Sequence, residues 1–470
     1  MWIHVVKQGE TLWQIAQAYG VNINQIIYLN QPASPDILVI GQALVIPNPI
    51  REYVVTPGDN LWAVSQRFGV SINDLAQANN IADPSRITTG EMLIIPYFRY
   101  RVQQGDTLTN IAQRVGISAS QIAEANNIES PETISVGQIM IIPAPARPIT
   151  EINAYTTQLN PQGAQEVTAL GRNFTYLSPF MYAIKEDGSI TERQEQPVLD
   201  AAAAQNVAPL LTLTNFQAGN FDSDLAAAVL RNEDIQETLI NNLLEVIQNK
   251  GYKGINIDFE YVYPEDRENY TNFLKRLTDR FHEKNLLVST ALAPKISGDQ
   301  TGLLYEAHDY RAQAEIVDFI ILMTYEWGWA GGEPWAVAPI NKMREVLDYA
   351  VTVIPRDKIM MGMPLYGRDW KVPWVEGTFA RTISPQEAVG LAARYNVPIE
   401  YNEEHQSPHF SFTDATGQKH EVWFEDARSM QAKYDLMKEY GLKGGSYWVL
   451  GNPFPQNWAV LQSNFQIRKL

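Results

Sequence analysis

Apolar positions recur in two different rhythms along the chain, and the change of rhythm divides it. Over the first 143 residues the run VVKQGETLWQIAQAYGV returns as VVTPGDNLWAVSQRFGV and again as RVQQGDTLTNIAQRVGI. Gly9, Gly58 and Gly105, then Gly41, Gly90 and Gly137, then Pro47, Pro96 and Pro143 hold one register at both ends of each unit. A fixed period of this size is the mark of repeated modules. In each unit a short β-rich run (Val5-Val6, Val54-Val55, Tyr100 to Val102) leads into a Gly-acidic turn. Leu12, Ile15, Ala16 and Tyr19 then follow the i, i+3, i+4, i+7 spacing of an amphipathic helix. A second helix carries Ile23, Ile26 and Ile27 and has Asn30 near its end. A last strand (ALVIP, MLIIP, IMIIP) stops at proline, which cannot donate to a ladder. The pattern predicts three βααβ modules at 1–48, 51–96 and 97–143, then a Pro-rich linker at 144–150.

From residue 151 the rhythm changes. Short apolar runs alternate with amphipathic stretches such as Asp234 to Gln248, Glu265 to His282 and Ile340 to Val353. Eight runs read as strands: EINAYTT, FTYLSPFMYAI, APLLTLTNF, GINIDFE, LLVSTALAP, VDFIILMTYE, IMMGMPLYG and GGSYWVLG. Eight strands with intervening helices predict an α/β fold, a (β/α)8 TIM barrel over 151–470. The surplus length lies between strands seven and eight. There, at about 371–428, β-like pieces such as HFSFTDATG and HEVWFED predict a small inserted subdomain.

Composition narrows the function. The chain has no cysteine, which excludes disulfides, thiolate metal ligands and a cysteine nucleophile. A balance of 36 Lys+Arg against 53 Asp+Glu gives a net charge of −17, which argues against nucleic acid or an anionic membrane as partner. Residues 1–148 hold 8 of the basic and 11 of the acidic residues, so most of the negative charge belongs to the barrel. No apolar run reaches the roughly 18 residues of a membrane span. The opening MWIHVVKQGE has no basic and apolar regions of a secretory leader, so no signal peptide is visible. His405 and His409, beside Glu403 and Glu404, have metal-like spacing, but Pro408 opposes a helix there. A solvated loop, no metal and no cofactor are expected.

The fourth strand carries the chemistry. In Lys253 to Tyr261 the side chains alternate, so Asn256, Asp258 and Glu260 share one face while Ile255, Ile257 and Phe259 take the other. Polar residues directed into a barrel core are costly unless they are used. Two carboxylates two residues apart, at the strand end where barrels place their chemistry, raise one another's pKa and suit general-acid work. A polar barrel mouth of buried hydrogen bonds would present the same residues. Trp327, Trp329, Trp335 and Trp370 serve equally as sugar subsites or as core.

The repeats closely resemble the LysM domain, a module that binds N-acetylglucosamine-containing glycans. The resemblance implies glycan contacts at the first turns, Gly9, Glu10 and Thr11, Gly58, Asp59 and Asn60, and Gly105, Asp106 and Thr107. It implies further contacts in the loops Asn30 to Ile37, Asn80 to Ile87 and Asn127 to Ile134. The same turn residues are also ordinary turn and helix-cap chemistry. Tandem weak sites gain avidity on a polymer.

The barrel resembles glycoside hydrolase family 18. Its fourth strand is similar to the DxxDxDxE signature, and MTYE (323–326), GMPLYGRDW (362–370) and GGSYWVLG (444–451) are similar to later family segments. The resemblance implies Glu260 as general acid, and Asp258 and Tyr325 as the residues that hold the substrate's acetamido group. Trp448 becomes the floor of the sugar pocket, with Asn256, Glu326, Tyr366 and Arg368 as further substrate-binding residues. Asn256 and Lys253 stand where the signature has aspartates. The implied mechanism is substrate-assisted and retaining.

Three LysM repeats ahead of such a barrel resemble the family's branch from bacterial spores, which degrades cortex peptidoglycan during germination. NIDFE, and Thr212 to Asn215 in place of a Ser-x-Gly-Gly segment, fit that branch. The expectation is an N-acetylglucosaminidase acting on peptidoglycan or another N-acetylglucosamine-containing glycan, in the spore coat, cortex or cell wall, with a monomer favoured. A chitinase and a non-catalytic glycan-binding coat protein are the alternatives.

Overall fold

The structure is a computed structural model that describes residues 1–32, 37–129 and 134–470. Residues 33–36 and 130–133, part of two predicted glycan-contact loops, lie outside the described residues. Each N-terminal repeat pairs its outer strands antiparallel and places two short helices between them. The paired strands are Trp2–Val5 with Ala43–Ile46, Glu52–Val54 with Met92–Ile94, and Tyr97–Arg101 with Ile139–Pro143. The helices are Leu12–Tyr19 and Ile23–Asn30, Leu61–Phe68 and Ile72–Ala78, and Leu108–Val115 and Ala119–Ala125.

Local chemistry sets these elements. Thr11, Asn60 and Thr107 cap the first helices, their side chains accepting from the N–H of Gln14, Ala63 and Asn110. Gly20, Gly69 and Gly116 end the same helices in the left-handed region, where glycine carries no Cβ penalty. One asparagine per repeat then ties the second helix to the last strand. The Asn79 amide donates to the carbonyls of Leu75 (2.8 Å) and Ile94 (2.9 Å) and accepts from the Ile94 N–H (2.7 Å). Asn30 does the same between Ile26 and Val45, and Asn126 between Ile122 and Ile141. Units with cores this small depend on such ties.

In the barrel all eight predicted strands are present. They are β1 (Ile149–Thr156), β2 (Tyr176–Pro179), β3 (Ala208–Thr214), β4 (Gly254–Asp258), β5 (Leu287–Leu292), β6 (Phe319–Leu322), β7 (Ile359–Pro364) and β8 (Gly444–Trp448). Each pairs parallel with the next, and β8 pairs with β1, so the sheet closes. The outward face of β4 packs as its alternation predicts: Phe259 stacks on Tyr270 and Phe273 of the helix Arg267–His282.

The subdomain between β7 and β8 is a five-stranded antiparallel sheet with the helix Pro385–Tyr395 against it. Its core gathers Ile383, Ala388, Leu391, Phe410, Phe412 and Val422. The sheet begins at Gly367, ahead of residue 371, because β7 stops at Pro364 and the chain then enters the new sheet through Gly367–Val372.

Replacing Asn79 by Ala leaves the Leu75 and Ile94 backbone groups without their partner. The expected local destabilisation is about 1–3 kcal/mol, read as faster amide exchange at Ile94 with the exchange of β4 unchanged.

Candidate active site

The hydrogen-bond ladder of β4 ends at Asp258 against β3 and at Ile257 against β5. The three polar residues of this strand therefore step upward through the barrel mouth. Asn256 is fully buried, its amide accepting from the Tyr155 hydroxyl (2.7 Å) and donating to Ser289 Oγ (3.0 Å). Asp258, one layer higher, is also buried, and its Oδ1 meets no hydrogen-bond partner among the described residues. Glu260 follows just beyond the strand. Burial pushes both carboxyl groups up from their ordinary range. At Glu260, burial is reinforced by the charges of Asp258 and Glu326. One group of this cluster is thus held protonated far above the pH at which a free carboxylic acid ionises.

The opposite wall comes from β6 and β7. Tyr325 and Glu326 follow the end of β6, where the Thr324 hydroxyl donates to the Gly362 carbonyl on β7 (2.7 Å). Gly362 has a positional reason: a Cβ there would stand 2.7 Å from the Tyr325 ring and 2.5 Å from the Leu322 carbonyl. Glu326 sits at φ 68°, a left-handed backbone uncommon for a side chain of its size. Its Oε1 accepts from Arg368 Nη2 at 2.6 Å and from the Tyr366 hydroxyl, and the Arg368 guanidinium lies 4.8 Å over the Tyr366 ring. Trp448, at the end of β8, meets Tyr155 (5.4 Å) and Phe180 (4.8 Å) edge to face. The predicted barrel residues thus occupy the C-terminal strand ends, with Asn256 in the layer beneath.

Comparison with known proteins decides the family. The model described as "Glycosyl hydrolases family 18" matches residues 198–452, and the LysM domain model matches 4–47, 53–96 and 100–143. The "Cortical fragment-lytic enzyme" of Bacillus subtilis (strain 168) is 44% identical over 100% of this chain and 99% of its own length. The chain belongs to glycosyl hydrolases family 18. Among solved structures, the Bacillus cereus spore cortex-lytic enzyme SleL is similar with a TM-score of 0.77 and 37% identity, covering 100% of this chain and 98% of that one. The Bacillus megaterium QM B1551 SleL has a TM-score of 0.70 and 39% identity, covering 89% and 99%. The chain is a glycoside hydrolase with three LysM domains.

Several side chains of this family 18 site escaped the sequence reading. Tyr155 and Phe180, which frame Trp448, lie on and just after β1 and β2. Their signal is an aromatic residue at the C-terminal end of a barrel strand, the same signal that marks Trp448 on β8. The tryptophans divide. Trp370 is core, its indole N–H bound to the Gly332 carbonyl, and Trp335 packs half-buried beside it. Trp329 is half exposed, edge-on to Phe379.

The loop expected around His405 and His409 is corrected in part: residues 403–406 form a turn, and the chain is a strand from Ser407 on. His409 lies in the strand Ser407–Thr413 and stacks on Trp423, while His405 accepts from the Trp335 indole (2.9 Å). Aromatic packing overrides the polar composition of the segment. No cluster of three side chains able to hold a metal occurs among the described residues.

In the LysM repeats the turn acids are engaged by their own turns. Asp59 accepts from the Thr56 N–H and the Tyr53 hydroxyl, Asp106 from the Gln103 N–H and the Tyr100 hydroxyl, and Glu10 from the Lys7 N–H and His4. Gly9, Gly58 and Gly105 have the positive φ these turns require.

Replacing Glu326 by Gln removes one of the two charges that raise Glu260 and frees Arg368, so the Glu260 carboxyl should titrate at lower pH. Isotope-edited infrared titration reads this directly. An unmoved titration would show that the Glu326 charge does not set it.

Proposed function

We propose that the chain is a peptidoglycan hydrolase, an N-acetylglucosaminidase that cleaves after N-acetylglucosamine in spore cortex fragments during germination. One observation carries the chemistry. A buried carboxyl pair, its pKa values raised by burial and with one Asp258 oxygen unpartnered among the described residues, lies at the mouth of a family 18 barrel. The full-length similarity to enzymes named as cortical fragment-lytic supports the cortex as the source of substrate and the spore coat, cortex or cell wall as its place of work.

Glu260 is the general acid. It gives its proton to the leaving glycosidic oxygen as the anomeric C–O bond breaks. The substrate's own 2-acetamido oxygen attacks the anomeric carbon, forming an oxazolinium ion, so no second carboxylate nucleophile is needed. Asp258 Oδ1 accepts the acetamido N–H, and Tyr325 donates to the acetamido oxygen. Water then opens the ring with retention and returns a proton to Glu260. Trp448 is the stacking floor beneath the reacting sugar. Asn256 holds this floor from below through Tyr155, and Glu326, Tyr366 and Arg368 form a fixed polar wall for sugar hydroxyls.

The division of labour follows the domains: LysM units at 1–48, 51–96 and 97–143, and a catalytic barrel that takes up the last two residues expected in the 144–150 linker, since β1 begins at Ile149. Gly9, Glu10, Thr11, Gly58, Asp59, Asn60, Gly105, Asp106 and Thr107 shape the turns of the glycan-binding units, and the glycan is met by that turn backbone.

Glu260→Gln should lower turnover by about 10²-fold to 10⁴-fold with little change in KM; equal turnover would remove Glu260 as the acid. Purified cortex fragments and chitin oligomers, digested side by side, test the substrate, and turnover of chitin alone would overturn the cortex assignment. Deleting residues 1–143 should spare cleavage of small fragments and weaken binding to intact wall in a pull-down. Unchanged wall binding would contradict the role given to the repeats.

A further inference from the structure

The segment that carries Glu260 has no strand neighbour among the described residues. The β4 ladder ends at Asp258, and at Tyr261 the backbone turns through φ 54°. An unsupported stretch at the barrel mouth would leave the Glu260 side chain without a fixed origin. Yet three successive backbone polar groups here are all bound, and in each case by a side chain.

Asn215, the residue after β3, is fully buried. Its Oδ1 accepts from the Glu260 N–H at 3.0 Å, and its Nδ2 donates to the Glu260 carbonyl at 2.8 Å. One amide therefore grips both sides of the same residue, as a neighbouring strand would. Asn215 is itself anchored: Nδ2 also donates to the Asp222 carbonyl (2.9 Å), and its own carbonyl accepts from the Asp222 N–H (2.9 Å). Asp222 in turn caps the helix Ser223–Leu230.

His308, in the loop after β5, holds the preceding peptide. It is 1% exposed. Its Nδ1 faces the Ala293 N–H at 2.9 Å and must accept, so Nε2 carries the hydrogen and donates to the Phe259 carbonyl at 3.0 Å. The neutral ring is the state this geometry requires. Burial keeps it so, lowering its pKa to about 4, with the nearby Lys295 acting in the same direction and the bond to Phe259 opposing. Tyr270 packs beside the ring at 6.2 Å.

We propose that Asn215 and His308 are positioning residues that clamp the 259–260 backbone and so aim the Glu260 carboxyl at the leaving oxygen. This rests on Glu260 being the general acid. Asn215 lies where the sequence departs from the Ser-x-Gly-Gly segment, so the clamp gives that departure a purpose. Loss of aim should weaken protonation of the leaving group while leaving the acetamido pocket of Asp258 and Tyr325 intact. A displacement of about 1 Å at a reacting group costs up to about 10²-fold.

The test compares leaving groups. Wild type, Asn215→Ala, His308→Ala and Glu260→Gln are assayed as full chains on two N-acetylglucosamine glycosides. One carries a sugar leaving group, which needs the acid, and the other 4-nitrophenol, which leaves without it. The expected result is a 10-fold to 100-fold loss of kcat/KM, which stops at departure of the leaving group, on the sugar glycoside for the two clamp variants, and a loss of kcat/KM under 3-fold on the nitrophenyl glycoside. Equal losses on both substrates, or none on either, would overturn the clamp. Full activity of Glu260→Gln on the sugar glycoside would instead overturn the acid assignment on which it rests. If Asn215→Ala does not fold, Asn215→Asp keeps the acceptor for the Glu260 N–H and removes the donor to its carbonyl. The same selective loss is expected of it, and a loss equal on both substrates would again contradict the clamp.

Discussion

Everything at the barrel mouth follows from taking carboxyl groups out of water. An ionised carboxylate in a low-dielectric site must find a counter-charge or donors, or else take up a proton. Glu326 takes the first course, locked to Arg368 and Tyr366. Asp258 and Glu260 have no cation beside them in the described structure, and their pKa values rise instead. The result is a proton stored at the end of β4 at a pH where free glutamate would have lost it. The charge of Glu326 adds to that effect at Glu260, so the ion-paired wall and the buried carboxyl pair are one electrostatic unit.

The barrel supplies the geometry. Parallel closure puts the ends of β4, β6, β7 and β8 around one opening, and alternation along each strand decides which side chains enter it. Small residues make the space: Gly362 admits the Tyr325 ring. Buried amides and hydroxyls beneath the site, Asn256 with Tyr155 and Ser289, give the polar interior its hydrogen bonds and keep the upper layer in register. The repeats use a similar device at smaller scale, each joining its second helix to its last strand through one asparagine.

Much of this was legible from residues alone. The eight strands show because their apolar runs are separated by amphipathic helices. The three modules show because their register repeats at both ends. Asp258 and Glu260 show because a period of two places them on one face. What was not legible depends on partners distant in the chain. Nothing local to Asn215 or His308 announces that they meet at residues 259–260, since those bonds span 45 and 49 positions. His409 read as solvated because its neighbours are polar, whereas the structure stacks it on Trp423. The turn acids of the repeats carry a second, local role that the short pattern does not separate from glycan contact: each accepts a backbone N–H of its own turn.

The central claim is that the substrate's acetamido group, held by Asp258, is the nucleophile. Its most direct test is a series of glycosides whose N-acetyl group carries zero, one, two or three fluorines. Fluorine withdraws electrons from the attacking oxygen while changing its size little. A steep, progressive fall in kcat across the series is expected if that oxygen attacks the anomeric carbon. A rate independent of fluorination would contradict the account and would require a nucleophile from the protein.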